Sequence, residues 1–196
     1  FDIVLSILLM PVLLPTILLF TALIKLDSPG PVFFGHYRVG KNGRKIKVYK
    51  FRSMHKDAQE RLKIMLAENE DLRKEWEETF KLKNDPRITR IGNILRKTSL
   101  DELPQFFNVL KGEMSFVGPR PVVEEEIKNY YKENAKFYQM VKPGITGLWQ
   151  VSGRSDTSYE RRVDLDNWYV LNWSLWLDIM ILFKTIRVVL KLDGAY

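Results

Sequence analysis

The sequence predicts an α+β fold that is mostly helical, and three observations predict it. An uncharged apolar run opens the chain from Ile3 to Ile24, two strand-like segments flank Gly40-Lys41-Asn42-Gly43, and most of the chain after His55 carries helical spacing. With 196 residues the chain can build one domain with a real core plus an anchoring segment. On this basis it divides into a membrane helix over residues 1–26 and a compact domain over 27–196.

The opening run, IVLSILLMPVLLPTILLFTALI, lies between Asp2 and Lys25 and reaches the about 20 apolar residues that a bilayer-spanning helix needs. Pro11 and Pro15 sit in its middle, each removing a backbone donor, so a strong kink is expected. Two topologies remain open at this point. One is a kinked helix that crosses the membrane. The other is a re-entrant helix that enters and leaves on one face, with Ser6 and Thr16 available to satisfy freed carbonyls. Lys25, Arg38, Lys41, Arg44, Lys45, Lys47 and Lys50 follow at once, which places the downstream domain on the cytoplasmic side. The chain begins at Phe1 rather than methionine, which reads as a processed or truncated product.

Asp27-Ser28-Pro29-Gly30-Pro31 is a turn-rich exit, and Val32–Val39 with Lys45–Phe51 predict a small β-hairpin closed by an Asn-Gly turn. His55–Lys83 reads as a solvated helical pair, and Ile88, Ile91, Ile94 and Leu95 mark another helix ending near Arg96. A further helix opens at Ser99 and stops at Gly112, with Ser99 and Glu102 in the spacing of a capping box. Met114–Pro121 predicts a short strand and a rigid loop in which two prolines orient Arg120; Val122–Tyr138 reads as a mixed helix. Lys142–Arg154 is a glycine-rich segment. Tyr159–Leu192 ends the chain as helix, either amphipathic at the membrane interface or buried in the core.

The net charge of +7 favours an anionic partner. No cysteine and only His36 and His55 exclude thiolate zinc sites and disfavour histidine-rich metal centres, leaving a hard cation held by carboxylates and phosphate. Within this basic chain, Asp101-Glu102 stands out, with Arg87, Arg90 and Arg96 before it and Arg120 after it. Adjacent acids among arginines suit chemistry on a phosphate: one carboxylate attacks or binds a metal, and the arginines neutralise phosphate oxygens. The blander alternative is that Glu102 merely caps the helix and Asp101 merely favours its positive end, where it would stay ionised.

Several ordered segments together resemble the bacterial sugar transferases, the monotopic phosphoglycosyl transferases that act on polyprenyl phosphate. They are Lys50–Met54, Asp85–Thr89, Arg96–Gln105, Phe107–Gly112, Gly118–Pro121 and Lys142–Arg154. The His55–Lys83 insertion and the ending Asp193–Tyr196 look most like the undecaprenyl-phosphate galactose phosphotransferases within that family.

The resemblance implies transfer of a sugar 1-phosphate from a UDP-sugar, galactose being the best match, to undecaprenyl phosphate, with release of UMP. Asp101 would be the nucleophile and carry the phosphosugar. Glu102 would bind Mg2+. Arg96 and Arg120 would hold phosphate charge, with Lys50, Arg52, Arg87, Arg90 and Arg154 as further contacts. The resemblance also implies the re-entrant form of the first helix, amphipathic interfacial helices around the catalytic domain, and a place on the cytoplasmic face of the bacterial inner membrane. The expected partners are the UDP-sugar, the lipid phosphate, the membrane and a second copy of the chain as a homodimer. One departure stands at the bend, where the family carries Ser-Pro and this chain has Leu14-Pro15.

Two other classes compete. A basic membrane-surface module would bind anionic lipid without catalysis. Nucleic-acid binding rests on charge alone and is opposed by the membrane segment, so no nucleic acid is expected.

Overall fold

The computed structural model describes residues 1–79, 82, 85–153 and 157–191. Its elements run α1 (Asp2–Asp27), β1 (Phe33–Val39), β2 (Lys45–Phe51), α2 (Ala58–Glu68), α3 (Glu70–Thr79), α4 (Arg90–Lys97), a 3-10 helix (Leu100–Gln105), α5 (Phe106–Leu110), β3 (Ser115–Val117), α6 (Glu124–Glu126), α7 (Ala135–Met140), β4 (Gly144–Thr146), α8 (Tyr159–Leu171) and α9 (Leu175–Lys191). The fold is mostly helical with two small sheets.

Among the described residues, α1 is the helix long and apolar enough to cross a membrane. It is apolar all round, but only one side packs on the protein. Ile17 and Ile24 enter the main core, with Leu5, Leu9, Met10, Leu13 and Phe20 beside them, while Val4, Leu8, Val12, Leu18 and Leu19 face outward. Pro11 and Pro15 lie inside the helix on the outward side. The hydroxyls expected to help there do little for the prolines: Thr16 donates to Val12 O at 2.7 Å, and Ser6 Oγ is buried without a partner among the described residues.

Both ends of α1 are tied to the domain. Asp2 Oδ1 accepts from Ser115 Oγ at 2.9 Å and from Phe116 N at 3.2 Å, and Asp27 Oδ2 accepts from Ile91 N at 3.0 Å.

The hairpin pairs Phe33 with Phe51 through Val39 with Lys45, and its loop is a 3-10 turn in which Asn42 takes φ 58°. Directly opposed residues share a face, so Phe34, His36 and Arg38 project on the same side as Lys50 and Val48. A second, parallel sheet joins β3 to β4 and was not expected from the glycine-rich segment. Three residues are too short to show a strand period, and the pairing comes from far along the chain. Gly118 and Gly144 back onto one another there, and a Cβ on either would meet the other's backbone. The glycines of 142–147 therefore serve this backbone crossing.

Two further expectations are corrected. The mixed helix over 122–138 is a series of short turns, with a π-turn at Ile127–Tyr131 and Lys132 at φ 48°. The helix from Ser99 is a 3-10 turn followed by α5, and Ser99, at φ 57°, makes no capping hydrogen bond. Pro104 has no N–H and so can make neither the i−4 nor the i−3 bond at its position, which interrupts the ladder before α5. The capping explanation for the acid pair thereby loses its geometry.

The main core gathers Leu95, Phe106, Val109, Met114 and Ile181. A second cluster, Val122, Ile127, Tyr131, Tyr138 and Val163, lies under α7 and α8. α9 has one buried and one exposed apolar face. Leu177 and Ile181 are buried, while Trp176, Phe183 and Ile186 are exposed. Asp178, on the buried side, accepts from Tyr169 Oη at 2.7 Å and Trp173 Nε1 at 3.1 Å.

Candidate active site

The 3-10 turn delivers Asp101 and Glu102 to the end of β2, and Asn108 fixes that junction. Its Oδ1 accepts from Tyr49 N at 3.1 Å and its Nδ2 donates to Lys47 O at 2.8 Å, which pins β2 to α5. Lys50, next along the strand, then places Nζ 2.6 Å from Glu102 Oε1 and 3.4 Å from Asp101 Oδ2. Arg120, in the loop between buried Pro119 and Pro121, puts Nη2 3.3 Å from the same Glu102 oxygen. Arg96, near the end of α4, donates through Nε to Ser53 Oγ at 2.9 Å. α4 lies close enough for this because Gly92 sits directly on the Ser53 carbonyl.

The two acids differ electrically. Burial pushes the Asp101 carboxyl above the usual range; Lys50 opposes this and Glu102 reinforces it. Burial works on Glu102 in the same direction, but Arg120 and Lys50 outweigh it and hold that carboxyl at about 2. Burial, rather than a helix terminus, is thus the largest influence on the Asp101 carboxyl, which sits in a short 3-10 turn. When two carboxylates are driven apart in this way, the more basic one is the better nucleophile and the other a fixed anion.

A cavity of about 920 Å³ opens over the pair. Lys50, Ser53, Arg96, Asp101, Glu102 and Arg120 line its polar end; Leu9 and Leu13 of α1, Phe116, Ile145 and Val189 of α9 line its apolar end.

The other predicted contacts are placed differently. Arg52 borders the cavity, but its guanidinium donates to Pro29 O at 2.6 Å and to Ser28 O at 2.7 Å, fastening the exit of α1 to β2. Arg87 is buried, bound to Asp85 at 2.6 Å and stacked on Trp76. Arg90 is exposed at the start of α4, outside the cavity lining. Arg154 lies outside the described residues.

Sequence reasoning missed Ser53, Asn108 and a group around a second, smaller cavity: His36, Arg38, Gln105 and Arg162. The alternation Phe34-x-His36-x-Arg38 was the available signal for part of that group.

No cluster of three or more metal-ligating side chains occurs among the described residues. The pair still fits Mg2+, which is held by one or two carboxylates together with substrate phosphates. Lys50 and Arg120 both engage Glu102 Oε1, leaving Oε2 facing no donor among the described residues.

A model of the bacterial sugar transferase family matches residues 1–192. Over its full length the chain is 57% identical to a UDP-galactose-lipid carrier transferase of Erwinia amylovora and 56% identical to an undecaprenyl-phosphate galactose phosphotransferase of Salmonella typhimurium. It aligns with 41% of each of these relatives. A UDP-glucose:undecaprenyl-phosphate glucose-1-phosphate transferase of Escherichia coli is 45% identical over 94% of the chain and 38% of its own length. The chain thus spans about two fifths of the length of these curated relatives.

Proposed function

The chain belongs to the bacterial sugar transferase family, and from that premise we propose that it moves a sugar 1-phosphate from a UDP-sugar to undecaprenyl phosphate, releasing UMP, as the first membrane step of surface polysaccharide synthesis. The observation that carries this reading is the cavity that joins an acid pair among cations to an apolar wall made by α1 and α9. A lipid phosphate needs both: cations for its head and apolar surface for its chain. The names of the two galactose-related relatives favour UDP-galactose.

In this reading an Asp101 carboxylate oxygen attacks the β-phosphorus. The bond from that phosphorus to the bridging oxygen breaks, and UMP leaves with the oxygen. A phosphate oxygen of the lipid then attacks the same phosphorus, the Asp101–phosphorus bond breaks, and the carboxylate is restored. Asp101 suits this role because its carboxylate is buried and weakly stabilised, whereas Glu102 is held by Lys50 and Arg120. Lys50, Arg96 and Arg120 neutralise phosphate oxygens as charge moves to the leaving group. Mg2+, bound through Glu102, would supply charge neutralisation across the two phosphates.

The membrane reading places the domain on the cytoplasmic face of the inner membrane, with α1 re-entrant. Its support is that Asp2 and Asp27, at opposite ends of α1, both bond to the same domain. The outward prolines also stand where missing hydrogen bonds let a helix curve around its core. The exposed Trp176 and Phe183 of α9 suit an interfacial position.

The test is UMP release from a panel of UDP-sugars, with undecaprenyl phosphate and Mg2+, by this chain and by Asp101→Asn. Release by the wild type alone is expected; equal release by the variant would overturn the role of Asp101, and no release with any sugar would overturn the reading.

A further inference from the structure

The second cavity, of about 310 Å³, shares Lys50, Glu102 and Arg120 with the first but excludes Asp101. Its floor is the hairpin face that carries His36, Arg38, Val48 and Lys50. Gln105, three places after Glu102 on the 3-10 turn and so on the same edge, closes one side, and Arg162 of α8 closes another.

Among the described residues, four cations border this space against two carboxylates, and each carboxylate already engages groups of this chain. Glu102 holds Lys50 and Arg120. Glu126 accepts from Tyr159 Oη at 2.7 Å and Val123 N at 2.9 Å and lies 3.6 Å from Arg162. Among the described residues, the hydrogen bond of the Arg38 guanidinium runs from Nη1 to the Tyr37 carbonyl at 2.9 Å.

Arg162 is the telling residue. It is 7% exposed, its guanidinium is stacked 4.5 Å from the Trp149 ring and 4.8 Å from that of Tyr159, and its Nε has no hydrogen-bond partner among the described residues. Glu126 stays 3.6 Å from Nη1, beyond ordinary hydrogen-bond reach, so this buried guanidinium keeps donor capacity that an anion from outside the chain can fill.

We propose that this second cavity is the seat of the nucleoside monophosphate half of the nucleotide sugar, with Arg38, Arg120 and Arg162 taking the α-phosphate and Gln105 and His36 facing the polar edge of the nucleoside. This rests on the phosphate-transfer reading above and deepens it. In-line displacement at the β-phosphorus requires the leaving group opposite the attacking oxygen. Asp101 lines only the larger cavity, while Lys50, Glu102 and Arg120 border both, so a phosphate leaving from Asp101 can pass these shared cations into the second cavity. The volume falls at the small end of ligand pockets, about 300–1,000 Å³, which suits half of the substrate and leaves the sugar and lipid to the larger cavity.

The experiment uses the full chain in lipid nanodiscs, with UMP as the probe. Arg38→Ala is expected to raise both the KM for the UDP-sugar and the inhibition constant of UMP about tenfold or more, the loss of a charge-assisted hydrogen bond, while leaving the KM for undecaprenyl phosphate unchanged. Gln105→Leu shifts the same two constants in the same direction. A merely structural role would not separate the two substrates. Arg162 packs among aromatic rings, and its removal threatens the fold, so the decision rests on Arg38 and Gln105. Unchanged UMP inhibition in both variants, with a wild type that turns over, would overturn the assignment and leave the transfer reading standing. A wild type that releases no UMP from any UDP-sugar would overturn both.

Discussion

Lys50 Nζ sits 2.6 Å from Glu102 Oε1, and the same ammonium reaches Asp101 Oδ2 at 3.4 Å. One cation thus serves two carboxylates of opposite character. Lys50→Ala removes the charge that lowers Asp101, so the acidic limb of the pH–activity profile moves to higher pH. Removal of a positioned charge next to the phosphates also lowers kcat, by about 10²-fold. A pH–rate profile of UMP release checks both; an unmoved acidic limb would show that Lys50 does not set Asp101.

The two acids respond differently to neutralisation. Asp101→Asn abolishes turnover yet leaves the melting temperature equal or higher, because burial already works against its charged form. Glu102→Gln destabilises on the order of 3 kcal/mol at neutral pH, the linkage value of a carboxyl lowered from 4.5 to about 2. That advantage of the wild type is present above pH 4.5 and shrinks as the pH falls toward 2. Denaturant titrations of the three proteins across acidic pH measure it.

Asp166 carries the reverse sign. It is 2% exposed, accepts from Tyr131 Oη at 2.6 Å, and burial raises its carboxyl from 3.8 to about 6. The folded state therefore holds this proton more tightly than the unfolded chain. Its stabilising effect is full below about pH 4 and is lost as the pH rises through 6, a change on the order of 3 kcal/mol. Asp166→Asn flattens that slope in thermal unfolding measured from pH 4 to 7; a slope equal to the wild type's would refute the assignment.

Gly92 controls the approach of α4 to the strand end. A Cβ there would overlap the Ser53 carbonyl, which itself accepts from Thr89 N at 3.1 Å. Gly92→Ala is expected to cost about 1–3 kcal/mol and to reduce activity through Arg96, which rests on Ser53 Oγ. Calorimetry and UMP release read the two effects, and wild-type values for both would contradict the packing.

Topology is tested at the ends of α1. The chain has no cysteine, so Phe1→Cys and Leu26→Cys introduce unique thiols. A membrane-impermeant maleimide is expected to label both from the same face of sealed vesicles. Labelling from opposite faces would establish a spanning helix.

Local chemistry determined a good part of this protein from sequence. The apolar run predicted α1, the Asn42-Gly43 turn predicted the hairpin, and Asp101-Glu102 with Arg96 and Arg120 marked the candidate site. Each is a short-range signal of period, turn or charge. The tertiary structure decided what those signals cannot carry. It made Arg52 and Arg87 structural partners of Ser28 and Asp85 while raising Lys50 to the centre of the site, because a basic side chain looks the same in sequence whether its partner is a carbonyl, a carboxylate or a ligand. It turned Ser99 away from capping through a positive φ. It also set Asp101 and Glu102, neighbours of like chemistry, on opposite sides of the ordinary carboxyl range. Desolvation and the placement of Arg120 and Lys50 are properties of three-dimensional packing, which no pattern along the chain contains.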